Sequence, residues 1–504
     1  MERSKKRNMV PELLEDYINR THKYKKDNTP LVLFKKLDKR TLIPKKNTCT
    51  SAGYDIWTIQ KINVPPNSFL RIPVGFAMDF QSMTNCYGQL ALHSSLALKF
   101  VSVAAGIIDR DYDGQITVVL FNYATKKLEI NPGEWFAQVL FIKIETPSIF
   151  EVRKKSSTGY MALIPMNETQ KIRGNGGFGS TGIKGKCEDP NITKKENMSD
   201  PSVLFRKLDD SAVIPKRATL ASAGYDISTK INDKTTIIPP NSCLEIATGL
   251  VVDFKRLTGC YGQLAIRSST AIKFVSLPAG VIDRDYEGEI IVMLFNHAPN
   301  ELQITPGERF AQLLFIKIET PPVYEIKSEP ITGRTIVIPI KETSNIKEND
   351  GFGSNSTKGQ FEDSIIHSKD DISEASVFFL KLDDSAVIPK RVTLASAGYD
   401  LSTKINDKTT IIPPNGCLEI ATGLVVDFKR LTGCYGQLII HPSLAKSSSL
   451  PAGVIEKDYE GEIKVILLNH TSRELKIAPG EKFAQLLFIK KENPLTVSVD
   501  GVFN

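Results

Sequence analysis

Along most of the chain, short runs rich in Val, Ile and Phe alternate with Pro/Gly/Asn turns, about one turn every ten residues. Ile237-Ile238, Leu244 to Val252, Ile290 to Asn296 and Phe310 to Ile318 read as strands. Pro239-Pro240-Asn241 and Pro306-Gly307 read as turns between them. No long segment carries helical periodicity. The pattern predicts an all-β chain of jelly-roll-like or distorted β-barrel domains. No run of about 18 apolar residues occurs, so no membrane span is expected.

The strand pattern repeats. Ser-Ala-Gly-Tyr-Asp occurs at Ser51 to Asp55, Ser222 to Asp226 and Ser396 to Asp400. Cys-Tyr-Gly-Gln-Leu begins at Cys86, Cys260 and Cys434, and Phe-Ala-Gln at Phe136, Phe310 and Phe483. The period of 171 to 174 residues is long enough for each copy to be a whole domain. Lys207–Leu264 and Lys381–Leu438 differ at three positions, so copies two and three diverged last. A polar, basic tail over residues 1–30 precedes domain 1 (31–182). Linkers at 183–200 and 355–375 separate it from domain 2 (201–354) and domain 3 (376–504).

Composition adds modest constraints. A chain of 504 residues predicts about three domains of roughly 150 residues. Apolar content of 41% and charged content of 24% are those of an ordinary globular protein. The net charge of +7 suits an anionic ligand, but no domain is basic enough to predict nucleic-acid binding. The 7 cysteines lack CxxC spacing, so they read as reduced, mostly buried thiols. With no apolar stretch after the basic N-terminus, a cytoplasmic or nuclear location is expected. Lys5-Lys6-Arg7 reads as a solvated tail before it reads as a nuclear signal.

Candidate chemistry is densest in copy two. Gly280 to Glu289 reads as a hairpin with Asp283 and Tyr286 at its tip. An Asp there can orient and deprotonate water, and the Tyr can stack on a ring. Arg267-Ser268-Ser269 offers a guanidinium fork beside hydroxyls, suited to phosphate oxygens. Asp226 can hold Mg²⁺ through water. Arg173 to Gly182, containing Phe178, Gly179, Ser180 and Thr181, is a glycine-dense segment able to wrap phosphates.

Taken in order, these segments resemble the five motifs of the homotrimeric dUTPase family: A-G-Y-D, R-S-S, G-V-I-D-x-D-Y-x-G-E, G-E-R-F-A-Q and R-G-x-G-G-F-G-S-T-G. The resemblance covers nearly the whole chain. It implies three dUTPase β-barrels forming an intramolecular pseudo-trimer, with the chain itself monomeric. It also implies Mg²⁺-dependent hydrolysis of dUTP to dUMP and pyrophosphate. By that resemblance Asp109, Asp283 and Glu456 would orient the attacking water. Tyr112, Tyr286 and Tyr459 would lie under the deoxyribose. Asp55, Asp226 and Asp400 would hold Mg²⁺ through water. Ser94, Ser95, Arg267, Ser268, Ser269, Gln138, Gln312 and Gln485 would contact phosphates. Arg173, Phe178, Gly179, Ser180, Thr181 and Phe352 would belong to arms that close over the site.

The copies depart from the pattern in different places. Copy one has His93 in place of the phosphate Arg, and Trp135 in place of the fourth-motif Arg. Copy two has an eroded arm at Asn349 to Asn355. Copy three has Glu456 for the hairpin Asp and His441-Pro442-Ser443 for Arg-Ser-Ser. It ends VSVDGVFN, so it is expected to lack an arm. In the family each site draws on three subunits, so the result depends on the order of the ring. One order joins copy two to Glu456 and to the intact arm of copy one, and the other joins it to Asp109 but leaves it no arm, so neither order is expected to complete a site within the chain. At most one working site per chain is expected, and a slow one. The contrary expectation is a degraded relative that binds nucleotide or protein, and a third reading is dCTP deaminase chemistry on a similar fold.

Overall fold

A computed structural model describes residues 30–80, 83–154, 161–166, 202–328, 335–340, 372 and 375–500. The all-β expectation holds. Among the described residues, helix is confined to one-turn segments such as Ser94–Ala97, Ser268–Ala271 and a 3₁₀ turn at Pro442–Leu444. Each segment read as a strand from copy two lies in one: Thr236–Ile238, Ser242–Asp253, Glu289–Asn296 and Arg309–Glu319.

Three strands from each copy carry the architecture. Copy one supplies β1 (Leu31–Lys36), β2 (Trp135–Glu145) and β3 (Ser148–Lys154). Copy two supplies β4 (Ser202–Lys207), β5 (Arg309–Glu319) and β6 (Val323–Ser328). Copy three supplies β7 (Val377–Lys381), β8 (Lys482–Glu492) and β9 (Leu495–Asp500). The long strands β2, β5 and β8 read as nearly continuous apolar runs because they are covered on both faces.

These long strands meet in a closed cycle. The end of β2 pairs with the middle of β5 (Ile144 opposite Ile316), and the end of β5 with the middle of β8 (Ile318 opposite Ile489). The end of β8 pairs with the middle of β2 (Lys491 opposite Ile142). Equivalent ion pairs flank the crossings: Lys317–Glu145 at 2.5 Å, Lys490–Glu319 at 2.6 Å and Lys143–Glu492 at 2.8 Å. Being partly exposed, each contributes little, about 0–1 kcal/mol. The axis is filled by Tyr87, Tyr261 and Tyr435 with Leu140, Leu314 and Leu487. This core borders a cleft of about 300 Å³ that also touches Gln89, Gln263 and Gln437.

Each copy then hands its last strand to the next. β3 of copy one pairs in parallel with β4 of copy two, and β6 of copy two with β7 of copy three. β9 pairs in parallel with β1, Leu495 opposite Leu31 through Asp500 opposite Lys36, and closes the ring. The three copies therefore form one pseudo-trimer within the chain. Cys86, Cys260 and Cys434 are buried and free, and burial pushes their thiols up, as expected of small core residues.

A second axial cluster joins Tyr123, His297 and His470, which hold equivalent positions in the three copies. Their ring centroids lie 4.6 to 4.8 Å apart. Each ring meets a serine: Ser102 Oγ to Tyr123 Oη at 3.0 Å, Ser276 Oγ to His297 Nε2 at 2.7 Å, and Ser449 Oγ to His470 Nε2 at 2.7 Å. Burial lowers His470 to about 3, and burial together with His470 lowers His297. Above the unfolded value of 6.5 both imidazoles are neutral in either state and stability is unaffected. Below it the unfolded chain takes up protons that the folded one refuses. Stability is therefore expected to fall as pH drops from 6.5 towards 3, by about 1.4 kcal/mol per pH unit per imidazole. His470→Tyr, the copy-one residue, should reduce the slope of urea stability against pH by about one such share. An unchanged slope would exclude this cluster as its source.

Candidate active site

The hairpin of each copy docks on the A-G-Y-D segment of the copy that follows. Asp109 Oδ1 accepts from Ala223 N at 2.8 Å, and Asp283 Oδ1 from Ala397 N at 2.8 Å. At the ring-closing junction Glu456 Oε2 accepts from Ala52 N. The second hairpin acid adds a contact to the same neighbour. Asp285 accepts from Thr393 Oγ1 at 2.6 Å, and Asp458 from Thr48 Oγ1 at 3.2 Å and from Thr50 Oγ1. Of the two ring orders open to the sequence, the structure therefore has the one that brings Asp109 to copy two. Asp283 goes to copy three and Glu456 to copy one.

The hairpin tyrosines are held alike. Tyr112 donates to Gln115 O at 2.9 Å, Tyr286 to Glu289 O at 2.7 Å and Tyr459 to Glu462 O at 2.7 Å. Each ring lies against the glycine two residues on, where a Cβ would collide with it at Gly114, Gly288 and Gly461. This explains the Y-x-G spacing: the glycine makes room for the ring.

The phosphate ends differ in charge. In copy two, Arg267 Nε lies 3.0 Å from Asp226 Oδ1, and Arg309 Nη1 lies 2.9 Å from Asp226 Oδ2. Arg267 Nη1 also donates to Arg309 O at 3.1 Å. Two guanidiniums thus share one buried carboxylate. In copy three, Asp400 meets one ammonium, Lys482 at 2.9 Å, and accepts from Gln485 Nε2 at 2.7 Å. In copy one, Trp135 stands edge-on to His93, with centroids 5.3 Å apart. Burial raises the Asp55 carboxyl, and His93 only partly opposes it. His93 Nδ1 lies 2.8 Å from Ser95 Oγ, and His441 Nδ1 lies 2.8 Å from Ser443 Oγ. Ser94, Ser95, Ser268 and Ser269 lie in the one-turn helices that begin within these motifs. Gln138 and Gln312 pack over Gly53 and Gly224, where any Cβ would strike them.

Several functional features were missed from the sequence. Arg309 sits in the fourth motif, where the sequence marks it only as part of that pattern. Its pairing with Asp226 makes it a partner of Arg267. Lys491 is a second: it occupies the buried position held by Ile144 and Ile318 in the other copies. Its Nζ donates to Ser51 O at 3.0 Å and to Asn493 Oδ1 at 2.7 Å. Burial, together with the nearby Lys46, lowers it to about 7. Burial also raises Glu456, which Lys491 partly offsets. The ring-closing junction thus carries a buried Lys and a longer acid where the other two carry Ile and Asp. A third is the A-G-Y-D tyrosine. Tyr225 donates to Pro147 O at 2.7 Å, Tyr399 to Pro321 O at 2.6 Å and Tyr54 to Pro494 O at 2.9 Å. These prolines precede β3, β6 and β9, so the tyrosine latches the strand arriving from the preceding copy. Arg173, Phe178, Gly179, Ser180, Thr181 and Phe352 lie outside the described residues, and among the described residues no three or more His, Cys, Asp or Glu groups are placed to hold a metal ion together.

Comparison with known proteins agrees with this three-part division. The dUTPase family pattern matches at residues 39–182, 210–334 and 384–503. A deoxyuridine 5'-triphosphate nucleotidohydrolase of Oryza sativa subsp. japonica is 34% identical over 155 residues, covering 31% of this chain and 82% of its own. That of Solanum lycopersicum is 34% identical over 157 residues, covering 31% and 84%. That of Fowlpox virus is 36% identical over 158 residues, covering 30% and 95%. Each relative therefore corresponds to about one copy.

The latch yields a direct expectation. Tyr225→Phe keeps the ring and removes the hydroxyl that satisfies Pro147 O. It should cost about 1–3 kcal/mol in urea unfolding, with a similar cost for Tyr399→Phe. A loss below about 0.5 kcal/mol would show that the hydroxyl does not hold the crossover.

Proposed function

The chain belongs to the dUTPase family, and from that premise we propose that it hydrolyses dUTP to dUMP and pyrophosphate mainly where the copy-one hairpin meets copy two. One observation carries the choice. Among the described residues, this junction combines a hairpin aspartate with two guanidiniums beside the A-G-Y-D carboxylate.

In this reading the hairpin receives the base and deoxyribose, with Tyr112 under the sugar. The phosphates lie towards Arg267, Arg309, Ser268, Ser269 and Gln312. Asp109, its orientation fixed by Ala223 N, positions a water for attack on the α-phosphorus. The water oxygen bonds to that phosphorus, its proton passes to the carboxylate, and the bond to the bridging oxygen breaks. Pyrophosphate leaves with the bond electrons. The buried guanidinium of Arg267 and the half-buried one of Arg309 meet charge that grows on the phosphates, where low dielectric strengthens them. Arg267 and Arg309 are also the groups that would turn from Asp226 to the incoming polyanion.

Asp226 fits a water-mediated Mg²⁺ role once Arg267 and Arg309 turn from its two oxygens to the phosphates, since Mg²⁺ commonly takes one or two carboxylates plus phosphate oxygens. When bound, the ion would neutralise phosphate charge. Asp55 and Asp400 hold the equivalent positions in less cationic surroundings. The second junction retains Asp283 and Tyr286 but has His441 at the phosphate end. The ring-closing junction has Glu456 and Tyr459 with His93 and Trp135. A positioning error near 1 Å costs about a hundredfold, so Glu456 in place of Asp is a poor orienter of water.

Release of pyrophosphate from dUTP, compared with dCTP and dTTP and with and without Mg²⁺, tests the reading. Activity is expected on dUTP alone and only with Mg²⁺. Asp109→Asn should lower kcat by about a hundredfold or more, and Arg267→Ala by a comparable factor in kcat/KM. Asp283→Asn should cost much less than Asp109→Asn. Equal losses at the two aspartates would displace the site from the first junction. No release at high protein concentration would favour a nucleotide- or protein-binding role instead.

A further inference from the structure

The second junction pairs an unaltered hairpin with an altered phosphate end. Asp283 is anchored on Ala397 N at the 2.8 Å seen for Asp109 on Ala223 N. Tyr286 crosses its hairpin to Glu289 O and rests on Gly288, as Tyr112 does with Gln115 O and Gly114.

The other half differs at three points. His441 replaces the guanidinium fork of Arg267 with a ring whose Nδ1 is engaged by Ser443 Oγ at 2.8 Å. Pro442 takes the place of Ser268 and so removes a hydroxyl and a backbone N–H together. The helical turn shortens to the three residues Pro442–Leu444. Lys482 takes the place of Arg309, and its ammonium is paired with Asp400 at 2.9 Å. Asp226 thus faces two guanidiniums, whereas Asp400 faces one ammonium. A polyphosphate tail gains affinity only where fixed donors and cations meet its oxygens. A nucleoside or a monophosphate has little or no such tail to satisfy.

We infer that the second junction is a separate ligand site that takes deoxyuridine or its monophosphate, holds it without hydrolysis and gains nothing from β- and γ-phosphates. This rests on the reading above that the hairpin receives base and deoxyribose. Since dUMP is the product of the first junction in that reading, the second fills as product accumulates.

Calorimetric titration of the full chain in Mg²⁺, with dUMP and with the non-hydrolysable α,β-imido analogue of dUTP, tests this. The analogue should bind one tight equivalent. At a second equivalent, dUMP and the analogue should agree within about threefold. His441→Arg combined with Pro442→Ser rebuilds the copy-two motif. It should raise analogue affinity at the second equivalent at least about tenfold and leave dUMP affinity within about threefold. Tyr286→Ala should remove the second dUMP equivalent. Two equally tight analogue equivalents in the parent, or a second dUMP equivalent that survives Tyr286→Ala, would overturn the inference. A parent that hydrolyses dUTP yet binds a single dUMP overturns it alone. A parent that neither hydrolyses dUTP nor binds dUMP overturns the reading on which it rests.

Discussion

The direction in which each copy passes its last strand to the next fixes the rest of the molecule. The parallel pairings of β3 with β4, β6 with β7 and β9 with β1 run one way around the ring. The tyrosine latches on Pro147, Pro321 and Pro494 run the same way, and so do the hairpin contacts to Ala223, Ala397 and Ala52. Reversing one would require reversing all, because the same A-G-Y-D segment receives both the crossover and the hairpin. A site can therefore be composed in one order only, and the chemistry at each junction follows from which two copies it joins.

Fusion of three copies into one chain removes the requirement that the junctions be identical. The axis still demands near-identity, because Tyr87, Tyr261 and Tyr435 pack against one another and any change is felt by all three copies. The phosphate ends carry no such constraint and run from two guanidiniums through one ammonium to Trp135 beside His93. Near the axis, Tyr123 against His297 and His470 is one departure from identity and Lys491 is another. A lysine buried beside Lys46 loses part of its charge, and its hydrogen bonds to Ser51 O and Asn493 offset what remains of the desolvation cost. It lies where the ring closes, next to the hairpin in which Glu456 stands for the Asp.

Much of this was legible in the sequence. The strand periodicity, the repeat and the hairpin residues Asp109, Asp283, Tyr112 and Tyr286 stand out because local patterns carry them. The order of the ring does not, since a strand with period-two patterning looks the same whichever sheet it joins. For the same reason β3 reads as the end of copy one although it pairs with copy two. Lys491 was invisible because Lys490-Lys491-Glu492 reads as a solvated strand end. Its burial is imposed by the copy-one surface against it, and no window of sequence contains both. The sequence marks Tyr225 only as part of A-G-Y-D, because the carbonyl it satisfies lies 78 residues earlier.

The hairpin acid shows how one contact serves both assembly and chemistry. A carboxylate that accepts from the backbone of the next copy fixes that copy's position and is itself fixed by it. Loss of the acid would leave a buried N–H unsatisfied as well as removing a base, which couples stability of the junction to competence of the site. Glu456 keeps the first role, since its longer chain still reaches Ala52 N. Orienting a water tolerates far less displacement than satisfying an N–H. A junction can therefore lose catalysis while remaining a sound interface, and this is why the ring can stay closed around sites that no longer match one another.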